Sequence, residues 1–253
     1  MRPYILAETN WKTVQETAYE VAILPWGATE AHNYHMPYAT DNYQNEYVVE
    51  AAARQAWEAG ARVLVLPNVP FGINTGQLDI AFCLNMNPST QMALLRDLAD
   101  VVVRAGVRKL VILNGHGGNN FKNMIRELSV VQPSLFACAV DWYKGDSWPK
   151  YFSDLGDHAG ELETSAMLHI RPDLLRPLSE AGSGHAKQYT IKALRDGWAT
   201  AQRQWTLVTD DTGVGDPRAA TAEKGKAFLD VCAHRLAEFW TELARTPLDE
   251  LYA

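Results

Sequence analysis

The sequence has few cysteines, no excess of basic residues and no long apolar run, and each of these absences excludes a class of protein. Cys83, Cys138 and Cys232 are widely spaced and form no CxxC pair, which argues against a disulfide framework and against a thiolate zinc site. The formal charge of −7 gives no sign of nucleic-acid binding. No apolar run approaches the roughly 18 residues of a membrane span, and no signal-peptide core is present near Met1. We therefore expect a cytoplasmic protein.

The composition is that of a globular protein with alternating strands and helices. Of the 253 residues, 47% are hydrophobic and 21% are charged, which excludes a disordered or collagen-like chain. Short apolar runs alternate with helical segments, a pattern typical of a largely parallel sheet with helices on both faces. No segment has a linker composition, so we expect one domain over residues 1–253. Pro25 is expected to end the first strand, and Ser89 to cap the second helix. Strands are predicted at residues 21–24, 62–66, 109–113 and 134–140, and helices at 47–59, 90–105, 121–131, 161–170 and 221–244.

A first polar cluster follows the first predicted strand, at the sheet edge where ligands bind in open α/β folds. Glu30 and His32 are two residues apart, so in extended backbone they point to the same side, and Asp41 lies further along the chain. Carboxylate and imidazole groups suit Zn²⁺, Mn²⁺, Fe²⁺ or Co²⁺. The alternative is a polar turn of hydrogen-bonded side chains. His35 is expected to orient a ligand rather than to bind the metal itself.

A second cluster, NGHGGN at residues 114–119, follows the third predicted strand. Its glycines let the backbone approach a ligand closely, but the lysine and the Ser/Thr of a phosphate-binding P-loop are missing. Taken alone, His116 fits a capping or core histidine. Beside Glu30, His32 and Asp41, it supplies a further nitrogen ligand.

A third cluster, GDHAGELETS at residues 156–165, surrounds the start of a predicted helix. The helix dipole favours carboxylates there, and Glu163 is a candidate ligand in the first turn. Asp157 and His158 are suited to proton transfer. Glu161 is expected to be a solvated acid at the helix start.

Four motifs stand in one order along roughly residues 20–230, and together they resemble the creatininase (creatinine amidohydrolase) family. Each motif is weak alone, and the specificity lies in their number and order. They are Glu30-x-His32-x-x-His35-x-Pro37 with Thr40-Asp41, the segment at residues 114–119, His158-Ala159-Gly160-Glu161-x-Glu163-Thr164-Ser165, and the stretch at residues 212–225.

The resemblance implies a three-layer α/β/α fold that carries a two-metal hydrolytic site. It implies Glu30, His32, Asp41 and His116 as ligands, with Asp41 bridging two divalent ions of Zn, Mn or Fe. Members of the family cleave amide-type C–N bonds; among them are creatinine hydrolases, a formamide-cleaving deformylase and a mycofactocin-maturation peptidase. Members are commonly hexamers. We therefore expect a homo-oligomer that acts on a small-molecule amide and has no nucleic-acid or membrane partner.

The sequence departs from the creatininases proper in two places. In those enzymes an aromatic residue and a metal-binding glutamate follow the histidine of the second motif, whereas Gly117 and Gly118 stand here. The last ligand is then expected from Glu163 or from water, and the two glycines are expected to border the substrate. Residues 77–83 replace a His and a Phe-Pro-Gly-Thr run of many members and are expected to shape the substrate pocket.

The expected reaction is hydrolysis of a non-peptide C–N bond of a small amide, cyclic amides included, by a metal-activated hydroxide. His158, oriented by Asp157, is the expected acid for the leaving nitrogen, with Glu163 as an alternative base or ligand. The aromatic stretch around Trp142 and Trp148 is either a lid, with Trp142 against the substrate, or a subunit contact. The alternative functions are a formamide deformylase, a peptide-processing hydrolase of the same family and a non-catalytic metal-binding protein.

Overall fold

A four-stranded, all-parallel sheet forms the centre of the fold. The computed structural model describes residues 1–154 and 156–252. The sheet has the strand order β2–β1–β3–β4, and each pair of neighbours is parallel. The prediction of a largely parallel sheet is therefore confirmed. The strands are β1 (Val21–Trp26), β2 (Val63–Val65), β3 (Lys109–Asn114) and β4 (Phe136–Asp141).

Each of the five predicted helices is present. The fifth helix of the structure has the predicted bounds, and the last one begins and ends a single residue later than predicted. The α-helices among the described residues are α1 (Trp11–Glu16), α2 (Thr40–Glu58), α3 (Pro88–Arg104), α4 (Lys122–Val131), α5 (Glu161–Ile170), α6 (Lys192–Arg195), α7 (Trp205–Val208) and α8 (Ala222–Arg245).

Alternate residues of β1 point to opposite faces of the sheet, and helices cover both faces. Val21 and Ile23 pack with α2, α5 and α8, whereas Ala22 and Leu24 pack with α3 and α4. All residues of β1 and β3 are buried, as expected inside a parallel sheet that is covered on both sides. The protein thus has the predicted three-layer α/β/α arrangement. Within residues 1–154 and 156–252, every helix is too short or too polar to cross a membrane.

The strand β1 continues through Pro25, where the sequence predicted its end. The carbonyl oxygens of Ile23 and Pro25 accept hydrogen bonds on the β2 side of the strand, from Leu66 and Val69 respectively. The missing N–H of Pro25 therefore also points to that side. Because β2 ends at Val65, the proline interrupts no ladder bond between these strands.

The helix α2 begins seven residues before its predicted start at position 47. Its first turns are almost entirely polar, TDNYQNE, so they lack the apolar periodicity that marks a helix. These side chains are buried through hydrogen bonds instead: Asn42 donates to the carbonyl oxygen of Ala28, and Asn45 donates to that of Leu113. The start of α2 is thereby bonded to the loop that follows β1 and to the end of β3.

The helix α3 is not capped by Ser89. It begins at Pro88, and Asn87 stands at its N-cap. Proline favours the first helical position because its fixed φ is helical and its missing N–H would be unpaired there in any case. The proline, rather than the serine, marks the start of this helix.

The aromatic residues after β4 pack largely into the core. The ring of Trp142 is 1% exposed and lies 6.3 Å from the ring of Phe228 on α8, and the ring of Phe152 lies 5.3 Å from the same ring. A side chain buried in the core of its own chain is not a subunit contact, so that expectation is wrong for Trp142. This residue also borders the cavity described below, and its role as part of a lid against the substrate stays a prediction.

Candidate metal centre

The predicted ligands come together at the carboxyl edge of the sheet. Glu30 and His32 lie in the loop after β1, and His116 lies in the loop after β3. Asp41 and Glu163 lie in the first turns of α2 and α5, where the helix dipole stabilises a carboxylate. Because β1 and β3 are parallel neighbours, the loops that follow them meet at one edge.

Three of these side chains form a first group of donor atoms. Nδ1 of His116 lies 2.9 Å from Oε1 of Glu30 and 3.1 Å from Oδ2 of Asp41. Both oxygens are buried, and neither has a hydrogen-bond partner of good geometry among the described residues. Since buried polar atoms normally have such partners, two orphan oxygens beside one imidazole nitrogen fit the donor set of a divalent cation.

His32, Asp41 and Glu163 form a second group around the other oxygen of Asp41. Nε2 of His32 lies 3.0 Å from Oδ1 of Asp41 and 3.9 Å from Oε1 of Glu163. In each group the donor atoms lie within 4.8 Å of one another, and Glu30, His32 and His158 form a third group that meets the same distance. Asp41 belongs to both the first and the second group and presents one oxygen to each.

Backbone carbonyl groups orient both histidine rings. Nδ1 of His32 donates to the carbonyl oxygen of Glu30 at 3.0 Å, and Nε2 of His116 donates to that of Ile73 at 3.1 Å. A carbonyl oxygen only accepts, so the proton of each neutral ring stays on this outer nitrogen. The inner nitrogen is then free to bind a metal, which is how the partners of metal-ligating histidines select the tautomer.

The carboxylates of the cluster raise the pKa values of its histidines. Burial by itself lowers the pKa of His32, but the neighbouring carboxylates, Asp41 foremost, raise it to about 10. Burial also lowers the pKa of His116, and the charges of Glu30 and Asp41 outweigh it and hold that pKa well above its usual value. Burial raises the pKa of Glu163. Without a cation, the cluster therefore retains protons that a divalent ion would displace.

His158 lies beside the cluster, but Asp157 does not orient it. Nε2 of His158 donates to the carbonyl oxygen of Ala31 at 2.9 Å, and its Nδ1 lies 3.7 Å from Oε1 of Glu30. The carboxylate of Asp157 pairs with the guanidinium of Arg203, at 2.8 and 3.2 Å. The prediction that Asp157 assists His158 is therefore wrong, because its half-exposed side chain is held by Arg203 instead.

Gly117 and Gly118 have very different surroundings. A Cβ atom on Gly118 would lie 2.4 Å from Nε2 of His116 and 2.4 Å from the carbonyl oxygen of Ile73. A Cβ atom on Gly117 would meet no other atom within 4 Å. Both glycines border the cavity next to the cluster, but Gly118 in addition packs tightly against the ring of a candidate ligand.

This cavity has a volume of about 570 Å³ and contains the donor cluster in its wall. Gln77, from the stretch expected to shape the pocket, lines it and donates a hydrogen bond to Oε2 of Glu30. Several other lining residues lie in stretches without a recognisable motif, so sequence reasoning did not single them out. They are Gln44, Asn74, Lys144, Gln202, Arg203 and Trp205.

Two further residues of α5 have contacts that the sequence did not predict. Glu161 is 1% exposed, not solvated, and it accepts hydrogen bonds from the backbone N–H of Ser153 and from the ammonium of Lys224. The hydroxyl of Thr164 lies 2.9 Å from Nε2 of His35. His35 therefore contacts the helix that carries the candidate ligand of the second group, and it belongs to none of the three donor groups found among the described residues.

The fold and the cluster define an α/β protein with a candidate metal centre at the carboxyl edge of its sheet. A family model described as "Creatininase: Creatinine amidohydrolase" matches residues 7–240. The chain therefore belongs to the creatininase family, a family of hydrolases, as its motifs predicted.

Different relatives are named for different activities. The chain is 27% identical to a protein named "Mycofactocin precursor peptide peptidase" from Mycobacterium ulcerans (strain Agy99), over 94% of this chain and 93% of that protein. It is 26% identical to the "Creatinine amidohydrolase" of Pseudomonas putida, over 92% and 94% of the two chains. The family is thus shared between relatives named for different substrates.

Solved structures have the same fold. The crystal structure of a provisionally assigned creatinine amidohydrolase from Bacteroides fragilis NCTC 9343 superposes with a TM-score of 0.91, at 42% identity over 98% of this chain and 99% of that one. Two creatininase structures at 23% identity and a TM-score of 0.74 cover at least 96% of this chain and 99% of theirs; one is described as a Zn–Zn type and the other as a Mn form.

Proposed function

We propose that this chain hydrolyses a non-peptide C–N bond of a small amide at a centre of two divalent ions. The observation that carries the proposal is Asp41, which presents one buried carboxylate oxygen to each of two donor groups. A carboxylate shared in this way would suit a site that holds two ions about 3.5–4 Å apart. A single structural metal site would not need the second group.

Each of these two donor groups would supply the ligands of one ion. Glu30, Asp41 and His116 would hold one ion, and His32, Asp41 and Glu163 the other. Carboxylate and imidazole donors suit Zn²⁺, Mn²⁺ or Fe²⁺. When bound, such ions supply an acidified water and a Lewis acid for the substrate carbonyl.

His158 is the group we assign to proton transfer. Its Nε2 is tied to the carbonyl oxygen of Ala31, so its Nδ1 faces the cluster, 3.7 Å from Oε1 of Glu30. An amide nitrogen leaves poorly unless it is protonated, and an imidazolium Nδ1–H in this position donates that proton. Because Asp157 is engaged with Arg203, the carbonyl of Ala31 takes over the orienting role.

The size of the cavity favours a second candidate substrate, a peptide-like amide. A volume of about 570 Å³ is in the range of pockets that take ligands of drug size, and a small cyclic amide would leave much of it empty. The mycobacterial relative named for a precursor peptide supports the same candidate. A formamide substrate has no comparable observation in its favour.

The first test is the metal content of protein purified without chelator, measured by elemental mass spectrometry. We expect about two divalent ions per chain, and activity toward at least one compound of a panel of creatinine, small lactams, formamides and short peptides. Glu163→Gln should lower the content to about one ion and abolish activity.

Glu161→Gln is the matched control, since it removes a buried carboxylate from the same helix outside the donor groups. It should destabilise the fold by about 1–3 kcal/mol and keep both ions. Protein that binds no metal, even after reconstitution with Zn²⁺ or Mn²⁺, would contradict the proposal.

A further inference from the structure

Residues 185–208 form an excursion from the body of the protein. The chain leaves the body at Gly184 and returns at Thr209, which are both buried, whereas none of residues 185–208 is buried. The two ends are tied together, because the backbone N–H of Lys187 donates to the carbonyl oxygen of Val208 at 2.8 Å. A segment without buried contacts opens at low free-energy cost compared with a core element.

The inner edge of this excursion forms one wall of the cavity over the metal centre, at residues 201–205. Few bonds hold it in place. The backbone N–H of Trp205 donates to the carbonyl oxygen of Gly76 at 3.0 Å, and the hydroxyl of Thr206 donates to Asp79. A third link is the two-pronged ion pair between Arg203 and Asp157.

Planar groups lie in a row, tilted against one another, from this edge down to the donor cluster. The guanidinium of Arg203 lies 5.0 Å from the ring centre of Trp205. The ring of Trp205 lies 4.7 Å from that of His158, which lies 4.4 Å from that of His32. Trp205 therefore covers the residue assigned to proton transfer, and movement of the excursion would uncover it.

We propose that residues 185–208 are a gate over the metal centre and that the ion pair between Arg203 and Asp157 is its latch. With the latch closed, Trp205 shields His158 from solvent. Breaking the latch raises the fraction of molecules in which the centre is open. The proposal rests on the proposed function only for the presence of the metal, since the mobility of the gate is measured separately.

The test compares Arg203→Gln and Asp157→Asn with the charge swap D157R/R203D in the metal-loaded protein. Release of the metal to excess dipicolinate is followed by elemental analysis, and hydrogen exchange of peptides from residues 198–208 is followed by mass spectrometry. Since half-exposed ion pairs are weak, we expect both single variants to speed release and exchange about two- to fivefold. The swap should restore both rates.

Arg218→Gln is the matched control, because Arg218 makes an equivalent exposed pair with Asp216 away from the cavity lining. It should leave both rates unchanged. Single variants with wild-type rates, or a swap that restores neither rate, would overturn the gate, and the exposed Trp198 and Ile191 would then indicate an excursion fixed by subunit contacts. If the protein binds no metal, the proposed function fails and the exchange data alone decide the gate.

Discussion

Substitution of Gly118 by alanine tests whether its close packing fixes the position of His116. The added Cβ would lie 2.4 Å from both Nε2 of His116 and the carbonyl oxygen of Ile73, whereas non-bonded heavy atoms prefer about 3.5–4.0 Å. The oxygen belongs to the backbone and already accepts the hydrogen bond of that imidazole. The ring and the carbonyl must therefore move apart, which breaks the bond that selects the tautomer.

The size of the effect follows from this overlap of about 1 Å. Overpacking a tight site costs about 1–3 kcal/mol, and each kcal/mol lowers the melting temperature of a chain of this size by about 2–4 °C. We therefore expect Gly118→Ala to melt about 2–12 °C lower than the wild type. Losing the group that orients a metal ligand typically weakens metal binding by about 10- to 100-fold.

The measurement is differential scanning calorimetry together with metal titration, with Gly117→Ala as the matched control. A Cβ atom on Gly117 meets nothing within 4 Å, so this variant should keep its metal affinity and melt within about 2 °C of the wild type. If Gly118→Ala behaved like Gly117→Ala in both measurements, the account of how His116 is held would be wrong.

Two further predictions concern protons and a buried lysine. At about pH 7.5 we expect metal binding to release about two protons, because the raised pKa values of His32 (about 10) and His116 keep both rings protonated without a cation. The apparent affinity should therefore rise with pH, and the heat of binding should differ between buffers of different ionisation enthalpy; equal heats would contradict this. Lys109→Met should cost about 2–4 kcal/mol in thermal denaturation and leave metal content unchanged, because the buried ammonium donates to three carbonyl oxygens at the end of α8 and just beyond it. A wild-type melting temperature would show that water replaces these bonds without loss.

The fold was predictable where hydrophobic pattern and local propensity agreed. The bounds of α5 were predicted correctly, and the apolar runs of β1 and of residues 110–113 in β3 indicated a parallel sheet covered on both faces. Prediction of the element bounds failed where tertiary contacts, and not hydrophobic periodicity, determine the local structure. The first turns of α2 are polar because Asn42 and Asn45 bind the backbone of the loop after β1 and of β3, and no hydrophobic periodicity indicates such a helix. Pro25 is tolerated inside β1 only because the neighbouring strand ends before it, which depends on the length of β2.

The donor residues of the candidate metal centre were anticipated from motif and resemblance, but most other residues of the cavity and the partners of the site residues were not. Because Asp157 is adjacent to His158 in the sequence, we predicted that it orients this histidine. In the structure, Asp157 instead forms an ion pair with Arg203, far along the chain. Arg203 lies in the stretch where no motif or clear periodicity exists. The burial of Glu161 depends on Lys224 in the same way. Ion pairs between distant segments depend on the topology of the fold, and the spacing of residues within a motif gives no information about that topology.

Gly118 stands where the resemblance led us to expect a metal-binding glutamate, and Glu163 offers a carboxylate from α5 instead. A side chain at position 118 would collide with the ring of His116 and a backbone carbonyl, so a carboxylate at this position cannot enter the cluster without displacing them. In Glu163, the oxygen Oε2 accepts the backbone N–H of Ala159, which leaves Oε1 directed at His32, 3.9 Å away. The start of α5, where the dipole favours a negative charge, holds this carboxylate in place. We infer that the second donor group is completed from α5 because position 118, in the loop after β3, is packed too tightly to carry the ligand.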